Sequence, residues 1–163
     1  VQGGDGMKDV KVYIETSLTG PCVRNGWYAA ILECQTAKGP ATRYLTGREW
    51  KTTYNRSTLL AIVEALKCLK PCKVLIYTSN AFVINTFESG RVETWKRSEW
   101  HKPSGEEIKN KELWQQFLDE KNRMVEIAFR FSKHHDYRPL MQKMIAEEQE
   151  RSMSMAELHG END

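Results

Sequence analysis

A polar triplet, Thr-Ser-Asn at residues 78–80, directly follows an apolar run at residues 74–77. The run is short and rich in β-branched residues, which predicts a buried strand, and apolar residues recur at helical spacing over residues 82–87. In such a strand–turn–helix unit, ligands bind at the carboxyl end of the strand. Two hydroxyls and one amide stand there, without a carboxylate, imidazole or thiol, so the chemistry available at this point is hydrogen bonding.

The ionisable candidates lie elsewhere in the chain. Glu15 ends a predicted first strand, and Lys133-His134-His135-Asp136 forms a predicted polar loop. Imidazoles and carboxylates bind metals, but the spacing of His134, His135 and Asp136 matches no recognised metal motif. We therefore predict that this loop is a solvated turn with, at most, a contact to phosphate.

The four cysteines show no CxxC pair and lie in or beside apolar runs. This pattern favours reduced core thiols in an intracellular protein over a disulfide framework. The CxxxC spacing of Cys68 and Cys72 lacks further ligands and is poor evidence for zinc. The expected location is therefore the cytoplasm.

Length and charge narrow the class of protein. With 163 residues and 40% apolar content, the chain is sized for one compact domain with its own core. Its net charge of +2, from 24 basic and 22 acidic residues, means that any surface for a polyanion must be local. No apolar run approaches the roughly 20 residues of a membrane span, and residues 1–7 are predicted to be a linker or vector-derived residues.

The pattern of apolar residues predicts an α/β domain. Alternation with period two predicts strands, and apolar residues three and four positions apart predict helices, the first of which ends at Pro71. Beyond Glu147 the apolar face fades, which predicts a helical or frayed tail over residues 148–163. In chain order, the predicted elements are strands at 9–16, 26–33 and 42–47, a helix at about 55–70, a strand at 74–77, a helix to about 90, a basic and tryptophan-rich segment at 91–108, a helix at 110–118, a strand at 124–131 and a helix from 138.

Four motifs occur in this order and at compatible spacing. They are Thr52-Thr53-Tyr54-Asn55-Arg56 opening a helix, Leu-Leu-Ala-Ile-Val-Glu-Ala-Leu at residues 59–66, Ile76-Tyr77-Thr78 followed by Val83-Ile84-Asn85, and Asn-Lys-Glu-Leu-Trp-Gln-Gln at residues 110–116. Together with the element order, they resemble the type 1 ribonuclease H family over residues 9–146. The resemblance implies a domain at residues 8–147 with a five-stranded mixed sheet, three antiparallel strands and then two parallel ones, and helices on both faces.

The resemblance also implies an activity, cleavage of the RNA strand of RNA–DNA hybrids by a two-metal mechanism. Two Mg²⁺ ions about 4 Å apart need anionic oxygen ligands, and the family supplies four carboxylates. In this sequence, the four positions fall on Glu15, Thr58, Ser79 and either Gln142 or Lys143. Because at most one of the four anions remains, we expect a catalytically degenerate member of the family, without a metal or another cofactor.

Two residues keep some capacity to hold a metal. Glu15 retains a carboxylate, and Asp136 could turn inward from its loop. His134 and His135 lie near the position of the mobile histidine that assists turnover in the family. The alternative hypothesis is therefore an active nuclease that uses Glu15, Asp136 and Mg²⁺ or Mn²⁺.

The resemblance further implies a weak surface for an RNA–DNA hybrid or another duplex. In the family, the turn before the first helix contacts the nucleic-acid backbone, which points to Thr53 and Asn55, although capping of the helix explains them equally well. Residues 91–111 match a basic protrusion, but six basic and four acidic residues give only +2, so binding should be weak and salt-dependent. The candidates in this segment are Lys96, Arg97, Lys102 and Trp100, and the tryptophans also suit a packing role.

A third hypothesis is a protein-interaction scaffold. Met153, Met155 and Leu158 lie in the predicted C-terminal tail and would form the apolar contact to a protein partner. A disordered tail is the simpler alternative.

Overall fold

The computed structural model describes residues 9–159 and has a five-stranded sheet at its centre. The predicted linker at residues 1–7 and the last part of the predicted tail, residues 160–163, lie outside the described residues. The strands are β1 (Asp9–Thr16), β2 (Arg24–Thr36), β3 (Gly39–Thr52), β4 (Lys73–Thr78) and β5 (Glu126–Phe131), and the helices are α1 (Tyr54–Lys67), α2 (Ala81–Glu88), α3 (Arg91–Arg97), α4 (Lys111–Arg123) and α5 (Arg138–His159).

The strand order in the sheet is β3-β2-β1-β4-β5. β1, β2 and β3 pair in antiparallel fashion, whereas β4 pairs in parallel with both β1 and β5. The predicted arrangement, three antiparallel strands followed by two parallel ones, is therefore confirmed. Because β1 and β4 are parallel neighbours, their carboxyl ends lie side by side.

Two apolar cores form on opposite faces of the sheet. Ala30 of β2 packs in one core with Phe117 of α4, whereas its neighbour Ala29 packs in the other with Met141 and Ile145 of α5. Both alanines are fully buried, and successive residues of a strand point to opposite faces. Helices on both faces of the sheet are thus confirmed. Within residues 9–159, no helix combines the length and the apolar character that a membrane span requires.

The β2–β3 hairpin is longer than the predicted strands at 26–33 and 42–47. The two strands pair as far as Thr36 with Gly39. Gly39 has a φ of +107°, a conformation that glycine adopts readily, and Thr36 Oγ1 donates to the Gly39 carbonyl at 2.6 Å. The residues at the hairpin end are mostly exposed, so they lack the apolar alternation from which strands are predicted.

The basic segment at residues 91–108 begins with α3, a helix that the sequence pattern did not predict. Gly90 precedes the helix with a φ of +77°. Val92 of α3 is 2% exposed, and the Trp95 ring packs edge-on against Trp114 of α4 with ring centroids 6.1 Å apart. These apolar contacts anchor the segment to the core.

Helix α5 continues without interruption to His159. A helical or a frayed tail was predicted from residue 148 onward, and residues 148–159 are helical. The later turns of α5 pack on the rest of the domain: Ser152 and Ala156 are buried, and Met153 is partly buried against the core. Met155 and Leu158 are 49% and 75% exposed. A protein contact at these two residues stays a prediction.

Glu148 of α5 connects this helix to the edge strand β3 by hydrogen bonding. One carboxylate oxygen accepts hydrogen bonds from Arg151 and from Thr46 Oγ1, and the other accepts from Ser152 Oγ at 3.0 Å. Burial opposes ionisation, but the hydrogen bonds from Arg151 and Ser152 outweigh it, so the pKa of Glu148 is lowered. The ionised carboxylate therefore stabilises the folded chain.

We expect Glu148→Ala to lower the free energy of unfolding by about 1 kcal/mol at neutral pH, because hydrogen bonds to a partly buried carboxylate are lost. Since the folded-state pKa is lowered, this contribution is present above the unfolded value of 4.5 and is lost as the pH falls through the folded value. Urea unfolding at pH 7 and pH 3 measures the difference, with the exposed Glu147→Ala as matched control. A difference from wild type that does not shrink at pH 3 would contradict this role.

Candidate functional site

The carboxyl ends of β1 and β4 meet at a cavity of about 280 Å³. Glu15 near the end of β1, Ser79 just after β4, Thr58 of α1 and Gln142 of α5 all line it, whereas Lys143 does not. The positions singled out in the sequence therefore come together in one place. Of the two alternatives for the fourth position, the cavity contains Gln142.

The carboxylate of Glu15 is engaged by two side chains from the segment that leads into α5. His135 Nε2 lies 2.9 Å from Glu15 Oε2, and Arg138 Nε lies 3.9 Å from Oε1. The side chain of Glu15 is 11% exposed and that of His135 is 6% exposed. One oxygen is thus hydrogen-bonded to His135, and the nearby positive charge of Arg138 helps to compensate a carboxylate that is largely removed from water.

Thr58 is 1% exposed and is hydrogen-bonded on both sides. Its hydroxyl donates to the Tyr54 carbonyl at 2.9 Å and accepts from Asn80 Nδ2 at 3.1 Å. Asn80 also donates to Asn55 Oδ1 at 3.0 Å, and its side-chain oxygen accepts from the Val83 amide at 3.0 Å, which caps α2. We call Asn55, Thr58 and Asn80 the Asn80 cluster. It joins the start of α1 to the residue that caps α2, and Thr58 is its member in the cavity lining.

Ser79 and Gln142 complete the cavity with neutral side chains. Ser79 Oγ lies 3.2 Å from the hydroxyl of Tyr54, and either group can donate. Gln142 is exposed on α5. The four positions therefore present one carboxylate, two hydroxyls and one amide, and the first three are hydrogen-bonded within the chain.

The two histidines before α5 have different surroundings. His134 is exposed, whereas the His135 ring turns inward and lies 4.9 Å from that of Tyr13, measured between ring centroids. The prediction of a solvated turn is thus wrong for His135, because its contacts with Glu15 and Tyr13 bury it. Burial raises the pKa of Tyr13 to about 12, so this neighbour is a neutral phenol at neutral pH.

Sequence reasoning missed two residues that line the cavity, Arg138 and Tyr54. Arg138 precedes Gln142 by four positions, and residues four apart share a face of a helix. That spacing was an available signal once Gln142 was a candidate. For Tyr54, no feature of the sequence marks its hydroxyl as the partner of Ser79.

Known proteins are similar to this chain in sequence and in fold. A family model described as RNase H matches residues 7–145. The chain belongs to the RNase H family. A ribonuclease H of Thermoanaerobacter sp. (strain X514) is 33% identical over 146 residues, covering 88% of this chain and 91% of that protein. A ribonuclease H of Caldicellulosiruptor saccharolyticus is 38% identical over 117 residues, covering 69% of this chain and 75% of that protein. The resemblance inferred from the motifs is confirmed.

Solved RNase H structures share the fold at lower identity. LC9-RNase H1, described as a type 1 RNase H with the type 2 active-site motif, superposes with a TM-score of 0.66 at 23% identity, covering 80% of this chain and 65% of that chain. LC11-RNase H1, solved in complex with an RNA/DNA hybrid, superposes with a TM-score of 0.57 at 15% identity, covering 85% of this chain and 94% of that chain. The RNase H-like fold of this chain agrees with both.

The RNase H family normally uses Mg²⁺, but the cavity of this family member does not fit a pair of such ions. Across residues 9–159, no three His, Cys, Asp or Glu side chains gather where they could hold a metal. Asp136 is exposed, and Glu15 contacts His135 and Arg138 instead. Two divalent ions need several anionic oxygens. One carboxylate that already faces an arginine does not supply them.

A second concavity, which we call the basic groove, adjoins the cavity. It has a volume of about 720 Å³ and shares Thr19 and Tyr54 with the cavity lining. Its lining includes three cationic residues, Arg91, Lys102 and Lys109. The groove therefore concentrates positive charge locally in a chain whose overall charge is nearly balanced.

Thr53 and Asn55, which were predicted to contact nucleic acid, both line the basic groove. Thr53 Oγ1 accepts from the Arg56 amide at 3.2 Å and so caps α1. Asn55 belongs to the Asn80 cluster. Both residues thus have a structural role at the place where the resemblance puts a phosphate contact.

The four predicted contacts in the basic segment differ in position. Lys102 lines the basic groove, whereas Lys96 and Arg97 are exposed on α3 outside its lining. Trp100 is 8% exposed and packs in the core. This burial contradicts a contact between Trp100 and nucleic acid, because the ring has almost no face left for a base. Trp100 is a packing residue.

Proposed function

We propose that this chain is a non-catalytic member of the RNase H family that binds an RNA–DNA hybrid or another duplex through the basic groove. The observation that carries the proposal is the state of Glu15. Among the described residues that line the cavity, it is the one carboxylate, and it is already paired within the chain by a hydrogen bond to His135 and by the nearby charge of Arg138. Two-metal hydrolysis requires a constellation of carboxylates that is free to bind metal.

Charge and family support nucleic acid as the ligand. The basic groove carries three cationic residues, and an RNase H of the same fold, LC11-RNase H1, was solved in complex with an RNA/DNA hybrid. Each phosphate that the protein neutralises releases counterions. For about three such contacts, a plot of the logarithm of the binding constant against the logarithm of the salt concentration should have a slope of about −2 to −3. Binding is therefore weak at physiological salt.

Fluorescence anisotropy with a labelled RNA–DNA hybrid in EDTA tests the binding. We expect Lys102→Ala/Lys109→Ala to weaken binding by about tenfold at low salt, because two phosphate contacts are lost. Lys70→Ala/Lys73→Ala, which removes two exposed lysines before and at the start of β4, is the matched control and should bind like wild type. Equal losses in both double variants would contradict a role of the basic groove.

The same hybrid, labelled on its RNA strand, tests the absence of catalysis. With Mg²⁺ or Mn²⁺ at millimolar concentration, we expect no cleavage above that of buffer. Metal-dependent cleavage that disappears in Glu15→Ala would overturn the proposal in favour of an active nuclease with an atypical site.

A further inference from the structure

We infer that Arg138 forms a metal-independent phosphate site in the cavity, where a cation of the chain itself takes the place of divalent ions. The inference rests on the proposed function, because the phosphate is one from the backbone of the bound nucleic acid. It differs from the contacts of the basic groove in its location and in the residue that carries it.

The charge of the cavity permits a phosphate to approach without metal. Among the described residues of its lining, the formal charges are those of Glu15 and Arg138, which sum to zero. With four carboxylates at the same positions, the charges of the lining would sum to −3, because Arg138 remains, and would repel a phosphodiester until cations bound. The loss of carboxylates thus removes the repulsion as well as the metal ligands.

Arg138 keeps donors free for such a phosphate. Its side chain is 38% exposed, and its Nε lies 3.9 Å from Glu15 Oε1, which is beyond hydrogen-bond distance. Within residues 9–159, the guanidinium makes one further polar contact, a long one of 3.4 Å from Nη1 to His134 Nδ1. A guanidinium carries five N–H donors and pairs well with phosphate oxygens. Ser79 and Gln142 add neutral hydrogen-bonding groups to the same cavity.

His135 explains why Arg138 is not locked onto Glu15. The short contact of 2.9 Å from His135 Nε2 to Glu15 Oε2 satisfies one carboxylate oxygen and fixes the position of the carboxylate. Because the carboxylate oxygen accepts, the ring nitrogen is the donor. His135 is therefore a positioning residue that keeps Glu15 satisfied, while Arg138 stands farther away with its donors available.

Anisotropy titrations of the labelled hybrid in EDTA, at fixed ionic strength, test the site. We expect Arg138→Gln to weaken binding by about fivefold to tenfold, since a charge-assisted contact to phosphate is lost. Arg43→Gln makes the same change at an exposed position of β3 outside the cavity and should bind like wild type. Glu15→Gln should bind the hybrid at least as tightly as wild type, because it removes the negative charge. Thermal unfolding of each variant verifies that it is folded.

The outcomes separate this inference from the proposed function. If wild type binds the hybrid and Arg138→Gln binds equally well, the phosphate site is wrong and the proposed function stands. Weaker binding by a folded Glu15→Gln, or tighter binding of wild type when Mg²⁺ replaces monovalent salt at constant ionic strength, would also overturn the site. A wild-type chain that binds no nucleic acid would overturn the proposed function itself.

Discussion

Asn80→Ala should lower the free energy of unfolding by about 2 to 4 kcal/mol. The side chain of Asn80 is 1% exposed and makes three hydrogen bonds, to the Val83 amide, Asn55 and Thr58. Loss of a helix cap costs about 0.5 to 2 kcal/mol, and a buried polar group left without a partner costs about 1 to 3 kcal/mol. Urea unfolding followed by circular dichroism measures the change.

Two further variants separate the cap from the Asn80 cluster. Asn85→Ala replaces an exposed asparagine in the same helix and should change stability by less than about 0.5 kcal/mol. Asn80→Asp keeps an acceptor for the Val83 amide but removes both donors. If Asn80→Asp is as stable as wild type, the cap alone matters and the hydrogen bonds to Asn55 and Thr58 contribute nothing.

A variant with all four carboxylates restored should gain affinity for divalent ions. Glu15→Asp, Thr58→Glu, Ser79→Asp and Gln142→Asp place anionic oxygens at four positions that line one cavity. Hard divalent cations bind such oxygens. We expect calorimetry to detect Mn²⁺ or Mg²⁺ binding with a dissociation constant of about 1 mM or tighter, which corresponds to about 4 kcal/mol, where wild type shows none.

A variant that carries the fourth carboxylate at residue 143 instead of 142 is the control for the gain in affinity for divalent ions. This second fourfold variant, with Lys143→Asp in place of Gln142→Asp, adds even more negative charge, but at a residue outside the cavity lining. It should bind the ions more weakly. Because Thr58 is buried, Thr58→Glu can destabilise the chain, so the variant without this substitution is measured in parallel. Equal affinity for divalent ions with Asp at 142 or at 143 would contradict the assignment of Gln142.

Strong apolar periodicity made most of the fold predictable. The buried central residues of β2 and the apolar stripe of α1 place these elements against the core. The end of the β2–β3 hairpin was missed because its side chains are mostly exposed and do not alternate between apolar and polar. Backbone pairing, as far as Thr36 with Gly39, maintains the strands there. Helix α3 was missed because its burial depends on Val92 and on the contact of Trp95 with Trp114, a residue of α4.

The positions of the cavity could be predicted from the family resemblance, but their partners could not. Glu15 and His135 are 120 residues apart in the chain, and the sequence does not tell which of the two adjacent histidines turns inward. Asn80 meets Asn55 across 25 residues. Such contacts depend on the packing of elements that are distant in the chain, and local patterns of residue type do not encode them.

Because α5 is one continuous helix, its two ends lie a known distance apart. Arg138 begins the helix and the exposed Leu158 lies near its end, and 20 residues at about 1.5 Å each separate them by about 30 Å. A dye attached at position 158 would therefore report by resonance energy transfer on the distance to a dye on either strand of a bound duplex. The orientation of that duplex becomes measurable without altering a residue of the cavity or the basic groove.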